Sequence, residues 1–128
     1  MSKIKFEQEY LLKTSTKILS NMIMTPGGLS EWFADDVNIK DDIYTFIWNG
    51  SEEQARLLGK KEGEFIKFRW IEDEEEDIDS YVELKFHVDP MTKAVVLNVT
   101  SFAFDYEMDE VQHYWENTIN ELIRKLGA

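Results

Sequence analysis

The sequence predicts an α+β fold in which a curved antiparallel sheet of about seven strands surrounds one long C-terminal helix, with two short helices after the first strand. Apolar and charged residues alternate in several short segments, which is typical of strands with one buried face. Asn49-Gly50 is a strong hairpin signal, because both central residues of such a turn need positive φ. Residues 111–126 place apolar side chains at helical spacing. The inner face of the sheet is the only large surface that can cover this helical stripe.

The N-terminal elements are a strand followed by two short helices. Residues 4–12 alternate as a half-buried strand. Residues 14–16 offer capping side chains for the first helix. Thr25-Pro26 starts the second helix, with threonine as N-cap and proline at the first helical position. We expect the glycines that follow, Gly27-Gly28, to loosen the join between the two helices.

The remaining strands and the final helix follow from the same patterns. Six further strands are predicted, at residues 37–39, 43–48, 55–58, 65–70, 81–88 and 94–104. Asp109 is the predicted N-cap of the final helix, since Gln112 follows three residues later, as in a capping box. Gly127 ends this helix.

The composition excludes several classes of protein. A chain of 128 residues suits one domain over residues 1–128. Its 14 basic and 26 acidic residues give a net charge of −12, which argues against binding to nucleic acid or to an anionic membrane. The lack of cysteine excludes disulfides, thiol catalysis and cysteine-based zinc sites. The 2 histidines are too few for a multi-histidine metal site, so we predict neither a metal nor a cofactor.

The hydropathy pattern indicates where in the cell to expect the protein. The chain has no run of about 18 apolar residues that would span a membrane. Its first residues alternate charged and apolar side chains and lack the apolar region of a signal peptide. We therefore expect no membrane insertion and a cytoplasmic protein.

Two aromatic segments carry a resemblance to a known family. One is Leu29-Ser30-Glu31-Trp32-Phe33-Ala34-Asp35, and the other is Tyr114-Trp115, followed at helical spacing by Ile119, Leu122 and Leu126. Together with the order of elements, they resemble the START-like (SRPBCC, helix-grip) superfamily over essentially the whole chain. Within it, the chain resembles the branch related to activators of the heat-shock protein 90 ATPase. The resemblance implies an apolar cavity between sheet and long helix that binds lipids, sterols, polyketides or other hydrophobic molecules.

Aromatic side chains are the candidate lining of that cavity. The resemblance places Trp32 and Phe33 near the cavity mouth and Tyr114 and Trp115 over the cavity. Strand parity adds five aromatic residues that share one face of the sheet. The predicted lining consists of Trp32, Phe33, Phe46, Trp48, Phe68, Trp70, Phe86, Tyr114 and Trp115. A polar atom of Tyr114 or Trp32 would orient the ligand. The alternative is that these rings simply fill the core.

Residues 72–79 are the most unusual segment, with seven acidic side chains in eight positions. We expect a solvated hairpin loop between two strands, because the segment lacks the spacing of a calcium-binding loop. Three other roles stay open: protection of a sheet edge, contact with a basic partner, and weak binding of a divalent cation.

The opposite face of the sheet also carries apolar residues. Ile43, Ile47 and Phe65 have outward parity, and a contiguous outer patch of this kind is typical of a partner surface. We therefore expect a homodimer through this face. His87 and His113 are expected at the surface, and no nucleophile elbow, phosphate-binding loop or zinc motif is found.

These features favour a small intracellular protein that binds a hydrophobic or amphipathic molecule and has no catalytic residues. The second hypothesis is a protein-interaction module, chaperone-associated or other, without a small-molecule ligand. An enzyme ranks last, because the predicted inner face shows almost no titratable group.

Overall fold

The computed structural model describes residues 2–127, and within them seven antiparallel strands form one sheet in the order β1-β7-β6-β5-β4-β3-β2. The strands are β1 Ile4–Leu12, β2 Asp36–Lys40, β3 Ile43–Trp48, β4 Ser51–Lys61, β5 Phe65–Trp70, β6 Val82–Val88 and β7 Val95–Ala103. The helices are α1 Thr16–Met24, α2 Pro26–Trp32, α3 Ile71–Glu75 and α4 Met108–Leu126, with a 3₁₀ turn Asp105–Glu107 before α4. The predicted fold class, a curved sheet around a long C-terminal helix, is confirmed.

Local chemistry sets the turns and helix starts as the sequence indicates. Asn49 and Gly50 have φ of 48° and 81°, and their tight turn pairs β3 with β4. The Ser15 hydroxyl accepts a hydrogen bond from the Ile18 amide at 3.1 Å and caps α1. Thr25 caps α2 in the same way, accepting from the Gly28 amide at 2.9 Å. Such caps satisfy amide donors that a helix N-terminus leaves free.

The core lies between the inner face of the sheet and helices α1, α2 and α4. Trp115, Ile119 and Leu122 of α4 are buried and belong to the same apolar cluster as the inward side chains of the sheet. Leu19 and Ile23 of α1 are each 0% exposed within this cluster. Burial of these side chains is the main favourable term that holds the helices on the sheet.

Two element boundaries differ from the prediction. Helix α4 begins at Met108, so Asp109 lies in its first turn and is not the N-cap. The 3₁₀ turn moves the start of the helix, and the Glu107 carboxylate accepts a hydrogen bond from the Phe104 amide at 3.2 Å. Strand β4 is longer than the predicted 55–58, because pairing with β3 starts directly after the turn at Ser51.

The acidic segment is not the solvated hairpin loop that the sequence predicts. Its first residues form α3, and Asp73 is only 5% exposed. The Lys3 ammonium donates to both Asp73 carboxylate oxygens at 3.0 Å, and the Ser80 hydroxyl donates to Asp73 at 2.6 Å. Arg56 donates from Nε to Glu74 at 2.8 Å. The acidic segment is therefore tied to β1 and β4 by two of its carboxylates.

The paired glycines also have a different role from the predicted one. Gly27 and Gly28 lie inside α2 and do not form the join between the helices. A Cβ atom on Gly28 would lie 2.0 Å from the Asn21 carbonyl oxygen and 2.7 Å from the Met22 Cα, both in α1. Gly28 thus permits α1 and α2 to pack closely, because it has no side chain between the two helices.

This close approach leads to a prediction for Gly28→Ala. We expect a free energy of unfolding lower by about 1–3 kcal/mol, because backbone must shift to admit the methyl group. Gly27→Ala is the matched control, since nothing lies within 4 Å of its added Cβ. The control should leave stability unchanged or raise it by up to about 1 kcal/mol through helix propensity. Urea unfolding followed by circular dichroism measures both, and equal stability of the two variants would contradict the close-packing role.

Candidate ligand-binding cavity

An open cavity of about 470 Å³ lies between the first half of α4 and the sheet. This volume is within the range of small-molecule sites in proteins, about 300–1,000 Å³. Its lining combines six aromatic residues with four polar ones and a valine: Phe33, Trp48, Trp70, Phe102, Tyr114, Trp115, Lys3, Glu53, Ser101, Glu107 and Val111.

The aromatic wall is built from chain segments that end next to one another. Trp48 and Trp70 are the last residues of β3 and β5, and Phe33 follows directly after α2. Their ring centroids form a continuous series, at 6.4 Å from Trp70 to Trp48 and 5.5 Å from Trp48 to Phe33. Phe33 stacks on Trp115 at 5.6 Å with an interplanar angle of 24°, and Trp115 meets Tyr114 at 6.0 Å. The five rings form one arc from the sheet to α4.

Five of the nine predicted lining residues therefore meet at the cavity, namely Phe33, Trp48, Trp70, Tyr114 and Trp115. The other four lie in the core: Trp32, Phe46, Phe68 and Phe86 are each less than 9% exposed and are absent from the cavity wall. Phe46 packs behind the wall, with its ring centroid 5.0 Å from that of Phe33. On β3 and β5 the position along the strand separates the two groups, since the last residues, Trp48 and Trp70, reach the cavity and the central residues, Phe46 and Phe68, do not.

Two indole donors at this end of the molecule, those of Trp32 and Trp48, are engaged within the protein. Trp48 Nε1 donates to the Phe33 carbonyl at 2.7 Å, which ties the end of α2 to β3. Trp32 Nε1 donates to the Met22 carbonyl at 2.8 Å. The polar atom of Trp32 therefore already has a partner inside the fold, which leaves Tyr114 as the predicted donor at the cavity edge.

Tyr114 lies at the edge of the cavity with 43% of its surface exposed. Partial removal from water is the main cause that raises its pKa above the ordinary value. The Thr118 hydroxyl opposes this rise, and the nearby charge of Glu53 adds to it. The phenol therefore stays protonated at neutral pH, where it is able to donate a hydrogen bond.

The sequence interpretation missed the ionisable residues of the cavity. Lys3 precedes the first strand, and its buried partner Asp73 is 70 residues away in the chain. Glu53, however, had a usable signal. The Asn49-Gly50 turn sets the pairing of Phe46 with Glu53, and directly opposed residues share a face of the sheet. Glu53 thus has the inward parity of Phe46, which corrects the expectation of an inner face almost without titratable groups.

Within residues 2–127, no three histidine, aspartate or glutamate side chains converge on a common point. His87 and His113 are both exposed, as predicted. No helix within the described chain combines the length and apolar character needed to cross a bilayer.

The outer face of the sheet is more polar than its predicted patch. Ile43 and Ile47 are half-buried on β3. Their neighbours across β2 and β4 are all charged: Lys40 and Arg56 beside Ile43, Asp36 and Glu52 beside Ile47. Phe65 lies on β5 between Lys61 and Lys85. Charged side chains therefore interrupt the apolar surface that these three residues were expected to form.

Comparisons with known proteins agree with this architecture. A solution structure of a protein from Bacteroides fragilis is 33% identical, with a TM-score of 0.67 and coverage of 98% of this chain and 92% of that one. The Aha1 dimer from Colwellia psychrerythraea is 13% identical, with a TM-score of 0.80 and coverage of 96% of each chain. A protein from Mesorhizobium loti is 14% identical, with a TM-score of 0.77 and coverage of 94% and 95%. The last two likenesses establish the fold alone. The comparison with curated proteins found no match.

The family itself follows from a match over the full chain. A family model described as the START-like superfamily domain matches residues 1–128. This match confirms the resemblance to the START-like superfamily that the two aromatic segments carry. The chain therefore belongs to the START-like superfamily.

Proposed function

We propose that the protein binds a hydrophobic or amphipathic small molecule in the cavity between the sheet and α4. The observation that carries this proposal is the open volume of about 470 Å³ beside a continuous arc of five aromatic rings. Concave, mostly apolar sites with a few polar groups are the usual form of small-molecule sites. Membership of the START-like superfamily supports the same function.

The aromatic wall would supply most of the affinity. Burying about 200 Å² of apolar ligand surface contributes roughly 5 kcal/mol at about 25 cal/mol per Å². The loss of ligand motion offsets part of this gain. The Tyr114 hydroxyl at the edge of the cavity is the donor that we assign to orienting the ligand.

A protein-interaction module without a small-molecule ligand is the second candidate. It is favoured by the acidic residues 72–79. Two observations weigh against it. Asp73 and Glu74 are already paired with Lys3 and Arg56, and the cavity is not filled by side chains. For either function we also propose a cytoplasmic location.

A cavity-filling variant tests ligand binding. Val111 is half-buried in the cavity wall, so Val111→Trp should occupy the space without removing a core side chain. The probe is N-phenyl-1-naphthylamine, a neutral molecule that fluoresces in apolar surroundings. We expect saturable binding to the native protein and an affinity at least about tenfold weaker for Val111→Trp, since tenfold corresponds to about 1.4 kcal/mol.

The matched control for this experiment is Glu110→Trp. Glu110 is the exposed neighbour of Val111 on α4 and is absent from the cavity wall. The Glu110→Trp variant should bind the probe as the native protein does. Thermal unfolding checks that both variants are folded. Unsaturable binding to the native protein, or equal binding by Val111→Trp, would refute the proposed function.

We also propose a homodimer through the outer face that carries Ile43, Ile47 and Phe65. The support for it is that one fold neighbour is described as a dimer. Because the net charge of −12 opposes association at low salt, the oligomeric state is measured at high ionic strength. Sedimentation equilibrium at about 100 μM should give twice the chain mass of 15.1 kDa, and Ile47→Glu should give the single mass. A single mass for the native protein would refute this dimer.

A further inference from the structure

We propose that the cavity selects amphipathic organic cations, with an ammonium group held against the aromatic wall and beside Glu53. This inference rests on the proposed function and names the chemical class of its ligand. Three observations carry it: the aromatic arc, the charge balance of the lining, and an acidic groove that opens into the same wall.

The aromatic arc supplies the preferred surface for a cation. The faces of indole and phenol rings carry negative potential, and tryptophan attracts a cation most strongly. Trp48, Trp70 and Trp115 all line the cavity, with Tyr114 at its edge. The Trp48 N–H, which is the positive edge of that ring, is bonded to the Phe33 carbonyl. The indole donor of Trp48 is therefore unavailable to an anionic or carbonyl-bearing ligand.

The charges in the lining are unbalanced in favour of a cation. Among residues 2–127, Lys3 is the single basic residue of the wall, and both oxygens of Asp73 already lie 3.0 Å from its ammonium. A ligand carboxylate would have to displace a buried, hydrogen-bonded partner, which is costly. Glu53 and Glu107 also line the cavity, and within residues 2–127 neither carboxylate has a basic group within 4 Å. The wall therefore carries two uncompensated negative charges.

An acidic groove of about 340 Å³ adjoins the cavity and shares Glu53 and Trp70 with it. The groove adds the carboxylates of Glu52, Glu72 and Glu75. A concave surface lined by one sign of charge raises the local concentration of opposite ions and speeds their association. The groove thus directs cations toward the aromatic wall. The net charge of −12 on the chain also attracts cations.

The test compares three decyl compounds that differ only in the head group: decyltrimethylammonium, decanol and decanoate. Each displaces N-phenyl-1-naphthylamine from the native protein in about 0.15 M salt, where surface charge is screened beyond about 8 Å. We expect the ammonium compound to compete at least about tenfold more strongly than decanoate, with decanol between them. Val111→Trp should lose competition by all three.

Glu53→Gln separates the cavity charge from the general acidity of the chain. We expect this variant to bind decyltrimethylammonium about threefold to tenfold more weakly, because the coulombic attraction of the carboxylate is lost, while its affinity for decanol stays the same. Glu9→Gln is the matched control, because Glu9 is an exposed carboxylate on β1 that lies outside the cavity wall. The Glu9→Gln variant should bind all three compounds as the native protein does.

The outcomes distinguish this inference from the function on which it rests. Equal competition by the three compounds, or stronger competition by decanoate, would overturn the cation preference and leave the binding function standing. If Glu53→Gln shows the same cation preference as the native protein, the overall charge of the chain causes that preference and Glu53 does not. This result would also overturn the inference. No saturable binding of any compound or of the probe would overturn both.

Discussion

The stacked rings of Phe33 and Trp115 form the contact on which the cavity depends. Phe33 follows α2, Trp115 belongs to α4, and their ring centroids are 5.6 Å apart. The Phe33 ring also meets Phe46 and Trp48 of β3, and its carbonyl accepts from Trp48 Nε1. One residue thus joins the short helices, the long helix and the sheet. This junction therefore links the strand end of β3 directly to α4.

The cavity exists because α4 is buried unevenly along its length. Ile119 and Leu122 in its later half are each 0% exposed, whereas Val111 near its start is only half-buried. The opposite side is braced by the Lys3–Asp73 pair, which links the start of β1 to α3. Charged groups resist transfer into an apolar core, so Lys3 and Glu53 in the wall oppose its collapse. The result is a packed half and an open half under the same helix.

The sequence indicated the faces of the sheet more reliably than the depth of each residue. Alternation identified Phe46 and Trp48 as residues of one face, but only the structure separates the core ring from the cavity ring. That difference depends on where β3 ends relative to α4, which is a tertiary property. The buried pair of Lys3 and Asp73 joins residues 70 positions apart, and no local sequence pattern indicates such a pair. Gly28 was misjudged because conformational freedom and close approach both favour glycine, and the sequence alone does not separate them.

The four tryptophans offer a direct measurement of the ligand cavity. Three of them line it. Trp32 is buried next to Phe33, outside the cavity wall, and its indole donor is bonded to Met22, so it serves as the internal reference. The experiment is a titration with N-phenyl-1-naphthylamine that follows the assigned indole N–H signals in ¹H–¹⁵N NMR spectra. We expect saturable shifts of Trp48, Trp70 and Trp115 with one common affinity, while Trp32 stays in place. Shifts of equal size at all four indoles, or no saturable shift at all, would contradict a ligand site between the sheet and α4.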